Sequence, residues 1–562
     1  MSAARRPFSA WLDDFFAAYY RRRPVNATFI GVHDYDDVLP DFSARGVAET
    51  LGEITALLGD LRGGAVAAAK TPAERTDRTL AEHFLTIQEW EYRSHHFQGG
   101  NPSLSTSEAI FGVLSLFLRT FAPLSERVDA AIARMEAIPA LLATAARNIP
   151  SAPSAWTERA IRECTGAMHF LGNGVDMLIA DTGITDPRFR SAATDARRAF
   201  ATYQAFLTRE MQATTDDAYG CGGEAFEQYM TLGHALTMTG AAIERYARDQ
   251  FVEARARLAE GAGQFGAGDW RAALAQLADM HPSVETYDGQ YQKVWDTSHA
   301  TATAHDLITW PAFPIQYVPQ PRWARDAAPF LYFLPYRSPA AYDRPPIHQY
   351  LVTPIEAAMP PEEQRRRLRA MNESVIKINH VIHHGGIGHH VQNWYAFHAA
   401  SRIGQIAAVD CASRIALFCG GTMAEGWSSY VVGLMGEVGF LTPLELYAQH
   451  YAHLRAAARA IVDVNLHYGR FSFDQAVAFY RDDTGMTQEA AHAETVKNTM
   501  FPGAAMIYLI GQDMIRDLRR DLAAREGSAF NLRRFHDRFL SYGSIPLSLI
   551  AAEMRAQRES PC

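Results

Sequence analysis

The chain has 562 residues, 48% apolar and 20% charged, and its 53 basic residues against 62 acidic ones leave a net charge of −9. Such a composition is globular: it excludes a disordered, collagen-like or disulfide-stapled chain, and the acidic balance argues against a dedicated nucleic-acid binder, which needs a basic stripe. No run reaches the roughly 18–20 apolar residues of a membrane-spanning helix, and Asp13 and Asp14 interrupt the stretch a signal peptide would need. Cys164, Cys221, Cys411, Cys419 and Cys562 lack metal-finger spacing and read as reduced thiols. A cytoplasmic protein without a membrane or nucleic-acid partner is therefore expected.

Residues 1–302 predict a helical region. Thr71-Pro72-Ala73-Glu74 is a capping box with proline at the first helical position, and Leu80, Phe84, Ile87 and Trp90 follow at helical spacing. Further helices are predicted over 125–148 (kinked or broken near Pro139), 189–213 and 240–259. Residues 303–359 change character. Trp310, Pro311, Pro314, Ile315, Tyr317, Val318 and Pro319 make an extended stretch, and 330–333 and 350–352 are the best strand candidates, a small inserted β-sheet or hairpin.

Residues 360–562 return to helix. A long helix is predicted over 362–384. Thr442-Pro443-Leu444-Glu445 is a capping box opening a helix that ends before Gly469, and Ser472 to Gln475 opens another. Helices over 503–520 and 532–540 complete the chain. No fixed-period repeat is present, so a solenoid is excluded, and the three regions read as one continuous, mostly α fold.

The chemical interest lies in histidine. Six of the 21 histidines fall between 380 and 398: His380, His383, His384, His389, His390 and His398. Val381, Ile382, Val391 and Trp394 flank them, which predicts partial burial. One reading is a metal site, since neutral imidazole ligates zinc and other transition metals. On an α-helix His383 and His390 would share a face, and His380 and His384 could pair. The other reading is a glycine-loosened helix junction with hydrogen-bonded histidines. Glu425 stands among Phe418, Met423, Trp427 and Val431, where a bare carboxylate is costly. A metal, a charged partner or a helix dipole would each relieve it. Cys419 reads as a buried structural thiol rather than a nucleophile.

Together the motifs resemble a bacterial family, domain of unknown function family 885, zinc-metallopeptidase-like proteins with the pattern H-E-x-x-P-G-H-H, E-G-W-A-L-Y, P-G-Q-A-L-S-Y-K-I-G and G-S-L-P-L. Here these read H-H-G-G-I-G-H-H (383–390), E-G-W-S-S-Y (425–430), P-G-A-A-M-I-Y-L-I-G (502–511) and G-S-I-P-L (543–547), and Pro24 to His33 resembles the family's opening. The resemblance implies a large helical groove-bearing metallopeptidase-like fold and a metal, zinc or another divalent ion, on His383, His389 and Glu425, with His390 as the alternative ligand. It implies Tyr508 as donor to an oxyanion and Tyr430 and Lys497 as substrate-binding. The strands near 330–354 would offer an edge to an extended peptide.

This chain departs from the pattern at its centre. His384 stands where the family has the glutamate that accepts a proton from water and passes it to the leaving amine. Ile387, Ala504 and Leu509 replace proline, glutamine and lysine, and Lys497-Asn498 replace Arg-Tyr. Three functions follow: a divergent metallohydrolase acting on a peptide or small amide-bearing substrate with His384 as base, a catalytically inactive protein that binds a peptide or partner in its groove, or a metal-dependent enzyme of another class.

Overall fold

The computed structural model describes residues 5–213, 219–331, 339–408 and 417–556. Helices dominate, and the strands form two small parallel pairs. The protein is thus mostly α with small sheets, as the sequence predicts. Among the described residues no helix is long and apolar enough to cross a membrane. Of the predicted strand at 330–333, Phe330 closes a 3-10 turn instead. Tyr332 and Phe333 lie outside the described residues, as do Cys411, Cys562 and the Cys419 side chain.

The chain forms two compact units, each discontinuous in sequence. The first comprises Met1–Ala218, Gln320–Pro345 and Ser401–Leu417. Its helix Pro72–Arg93 starts at the predicted capping box, with Glu74 N–H donating to Thr71 Oγ1 at 3.1 Å and Thr71 N–H to Glu74 Oε2 at 3.0 Å. Leu80, Phe84 and Ile87 are buried, and Phe84 meets Phe15 and Tyr19 of helix Phe8–Arg22 edge-on. Helix Leu124–Asn148 runs through Pro139 without ending there.

The second unit comprises Tyr219–Pro319, Pro346–Ala400 and Phe418–Cys562. Strands Ile315–Pro319 and His348–Val352 pair in parallel, in register from Ile315↔His348 to Pro319↔Val352. The inserted sheet is therefore a parallel ribbon and not a hairpin, which would be antiparallel. Helix Val284–Ala304 packs against it. The single helix predicted over 362–384 is two elements. Helix Pro361–Ala370 stops, Asn372 accepts from the Val375 N–H at 3.0 Å, and the chain then winds as a π-helix over Val375–Gly385. The helix predicted from 503 begins later, as Ile507–Glu526. The preceding residues are instead wrapped on the buried Asp463 carboxylate, which accepts from the N–H groups of Gly503, Ala505 and Met506 at 3.1, 3.0 and 3.3 Å.

Candidate metal centre

The π-helix places its histidines on wide turns, a rare winding that frequently occurs at functional sites. After Gly385 the chain reverses sharply. A Cβ on Gly388 would meet the Ile382 carbonyl at 2.6 Å, and one on Gly386 the Val381 carbonyl at 2.8 Å. Only glycine lets the backbone come that close. Gly388 N–H donates to Ile382 O at 2.9 Å. Two indoles hold the reversal, Trp295 Nε1 donating to Gly385 O and Trp427 Nε1 to Ile387 O, both at 2.9 Å. Helix His389–Phe397 starts immediately afterwards, so His389 folds back on His383 with ring centroids 4.9 Å apart.

Glu425 comes from the middle of helix Leu417–Glu437, away from its N-terminal dipole. That helix crosses Ile507–Glu526 backbone to backbone: a Cβ on Gly426 would sit 2.7 Å from Gly511 Cα. Glu425 Oε2 lies 3.4 Å from His383 Nε2 and 3.6 Å from His389 Nε2, and makes no hydrogen bond among the described residues. His384 joins the group, since His383, His384 and His389 each offer a ring nitrogen, all within 4.8 Å of one another. His383 and Glu425 keep 16% and 24% of their side-chain surface, so the cluster is reachable from solvent.

Hydrogen bonds orient the ligands. His389 Nδ1 faces Gln392 Oε1 at 3.4 Å, and Gln392 Nε2 donates to Ser544 Oγ at 2.6 Å. The amide so turned accepts from Nδ1–H and leaves the Nε2 lone pair of His389 towards Glu425. Ser544 belongs to G-S-I-P-L, so the last motif supports the first. Burial, with a smaller push from His389 and against a pull from Glu425, lowers the His383 pKa. Burial and the neighbouring His383 and His389 lower that of His384 further. Burial would raise Glu425, yet His389 and His383 in their protonated forms outweigh it and hold the carboxyl well below its usual range; a cation among the three would take the place of those protons. Neutral imidazoles and an ionised carboxylate are the forms that bind cations.

The structure thus brings together His383, His384, His389 and Glu425. It does not bring in His390, whose Nε2 donates to Phe313 O at 2.7 Å while its ring stacks on Phe313. His383 and His390 do not share an α-helical face, because a π-helix and a reversal separate them. Tyr430 is likewise turned elsewhere. Its hydroxyl donates to His536 Nε2 at 2.9 Å and accepts from Arg519 at 3.2 Å, and the residue is 1% exposed, so it is a packing residue. His380 bonds the Tyr350 hydroxyl at 2.7 Å, and His398 donates to Trp394 O.

Tyr508 and Lys497 lie together with Arg459, a neighbour that no motif in the sequence points to. The Tyr508 ring has Arg459 at 4.9 Å and Lys497 at 5.8 Å, and the Arg459 charge acts on His383. Arg459 itself pairs with Glu494. The i,i+4 spacing of Arg455 and Arg459 is visible in sequence, but nothing local says that they face Glu494.

Comparisons with known proteins agree on the fold. A "putative lipoprotein of unknown function" from Shewanella oneidensis superimposes with a TM-score of 0.76 at 23% identity, over 98% of this chain and 100% of that one. A "putative lipoprotein" from Colwellia psychrerythraea gives 0.73 at 16% identity, over 98% of each chain. No curated protein matches. The profile of a "Bacterial protein of unknown function (DUF885)" matches residues 24–554, and the chain belongs to that family.

Proposed function

We propose that His383, His389 and Glu425 hold a divalent metal, zinc or another ion of similar preference, and that the protein is a divergent metallohydrolase acting on a peptide or amide-bearing substrate. The observation that carries this is Glu425 Oε2, a buried oxygen without a hydrogen bond among the described residues, 3.4 and 3.6 Å from two imidazole nitrogens. Two ligands of a tetrahedral ion, each at roughly 2.0–2.1 Å, span about 3.3–3.4 Å. A cation among the three would also separate the lone pair of His389 Nε2 from the carboxylate.

Once bound, such an ion would supply Lewis acidity towards a carbonyl and acidify water. The chain's own residues do the rest. Gln392 fixes the His389 tautomer. A ring nitrogen of His384 would receive the proton that the family's glutamate takes, against the burial and neighbouring imidazoles that lower its pKa. The Tyr508 phenol donates to a developing oxyanion.

The position of His384 inside the nitrogen set favours a second reading. Four protein ligands close a zinc site, and a closed site is structural. The protein would then bind a peptide or partner without turnover, or run a metal-dependent reaction of another class. For location, the sparse cysteines support a cytoplasmic protein, whereas the lipoprotein names of the two similar structures point to the cell envelope, and cell fractionation separates these.

Elemental analysis of the purified protein tests the metal. One ion per chain is expected, lost on His383→Ala, His389→Ala or Glu425→Ala. No stoichiometric metal, together with no change in thermal stability on chelation, overturns the proposal. His384→Glu then separates the two readings. Gain of peptidase activity supports the hydrolase scaffold, and a metal-loaded but inactive variant supports the closed site.

A further inference from the structure

A π-winding ordinarily lasts a single turn, yet here it runs for eleven residues, Val375–Gly385. Its i→i+5 bonds make wider turns than those of an α-helix, so each residue rotates the chain less. The direction in which His383 and His384 leave the backbone therefore depends on the winding being kept from its first turn onwards.

That first turn is tied from outside. Ser374, which precedes it, donates from Oγ to Glu445 Oε1 at 2.9 Å, and Lys377 Nζ donates to Glu445 Oε2 at 2.8 Å. The same Oε2 accepts from Thr442 N–H at 2.8 Å, in the capping box of helix Pro443–His467. Lys377 Nζ also stands 5.4 Å from the centre of the Phe440 ring. Glu445 is 3% exposed. Burial works against its carboxylate, but Lys377 and the Thr442 N–H outweigh it and lower its pKa.

Phe440 and Thr442 lie in the short turn after helix Leu417–Glu437. Val438 and Phe440 N–H donate back into that helix, to Leu434 O at 3.3 Å and Met435 O at 3.0 Å. The turn thus continues the helix that carries Glu425. The histidine-bearing and glutamate-bearing elements meet at two separate places, His383 with Glu425 and Lys377 with Glu445. Two points fix a rotation as well as a separation, and one does not.

We propose that Ser374, Lys377 and Glu445 form a tie that holds the π-winding and, through it, sets His383 against Glu425, which makes Lys377 and Glu445 positioning residues of the candidate metal centre. The metal rests on the reading above; the tie and its hold on the winding do not. Removing one partner of a buried ion pair strands the other charge, so the tie is sensitive to single substitutions.

The test compares the full native chain with Lys377→Met, Glu445→Gln, the double variant and Lys377→Arg. Zinc affinity is measured by competition with a chromophoric chelator, and amide hydrogen exchange is read peptide by peptide. Glutamine also closes a capping box, so Glu445→Gln carries the test if Lys377→Met does not fold. Each of these two variants is expected to bind zinc about tenfold more weakly. Exchange is expected to quicken over 375–385 and not across the unit. Lys377→Arg keeps the charge and is expected to bind zinc like the native chain. A double variant no weaker than the single ones shows that the two residues act as a unit. Unchanged zinc affinity in both single variants overturns the proposal. So does exchange that quickens evenly through the second unit, which would make the tie a general contribution to stability. A native chain that binds no zinc removes the metal reading alone, and exchange then decides the tie: faster exchange confined to 375–385 upholds its hold on the winding, and unchanged exchange there overturns it.

Discussion

Two adjacent histidines leave the same helix start for different work. His389 turns Nε2 towards Glu425, while His390 gives its Nε2 proton to Phe313 O and lies flat on the Phe313 ring, 4.7 Å between centroids. Burial pushes His390 down to about 4, so it stays a neutral donor. Its place is structural, and His390→Leu is expected to keep full metal content. Its stability falls by about 1–3 kcal/mol, because the buried Phe313 carbonyl loses its donor. Metal analysis and thermal denaturation of that variant check both halves, and a folded variant that has lost its metal would restore His390 as a ligand. The doublet was visible in sequence, but its division of labour was not. Residue spacing decides a face only when the winding is known, and here the winding is π.

Among elements, those built from short-range hydrogen bonds were legible. Thr71, Thr442 and Ser472 all make the predicted capping boxes, because the bonding partners lie three residues apart. The break at Asn372 and the late start of Ile507–Glu526 were not legible, since the second depends on Asp463, some forty residues away. The crossing of Leu417–Glu437 with Ile507–Glu526 belongs to the same class. It explains the glycines of E-G-W and of the third motif: Gly426 and Gly511 are where the two backbones touch, and they bring Glu425 and Tyr508 to one crossing. Gly426→Ala would place a methyl 2.6 Å from the Gly511 carbonyl carbon and force the helices apart. A loss of about 1–3 kcal/mol is expected, the range for overpacking a tight interior, with weakened metal retention because Glu425 moves. A variant with unchanged thermal midpoint and metal content would show that the crossing does not position the site.

For the whole molecule, the order of the four motifs carried the family resemblance, while the reason for each became visible only in the fold. Trp427 holds Ile387, Ser544 holds Gln392, and Thr422 Oγ1 accepts from Leu547 N–H at 3.3 Å. The interleaving of two units was not legible, because composition does not change where Gln320–Pro345 and Ser401–Leu417 join the first unit.

That division has a measurable consequence. In the first unit His33 lies between Asp36, at 2.7 Å, and Asp343, at 2.8 Å, with Arg119 on the far oxygen of Asp343 at 2.8 Å and Arg134 4.0 Å from Asp36. Burial works against the imidazolium, but the two carboxylates outweigh it and raise His33 to about 9. The unfolded value is about 6.5, so the stabilisation is complete below that pH and disappears as pH rises through 9. With 30% of the His33 side chain exposed, solvent screening leaves about 1–2 kcal/mol. His33→Gln should therefore be less stable than the native chain by that amount at about pH 6, and nearly equal to it at about pH 9.5. The proposed zinc centre lies in the second unit, and zinc at about a hundredfold over its dissociation constant should add about 2.7 kcal/mol. The two sites share no residue, so near pH 7 the zinc increment should be the same with and without His33→Gln, within about 0.5 kcal/mol. Calorimetry of both proteins with and without zinc measures this. An increment that changes by more than about 1 kcal/mol would mean that the units are energetically coupled, and that His33 bears on the candidate centre through the body of the protein.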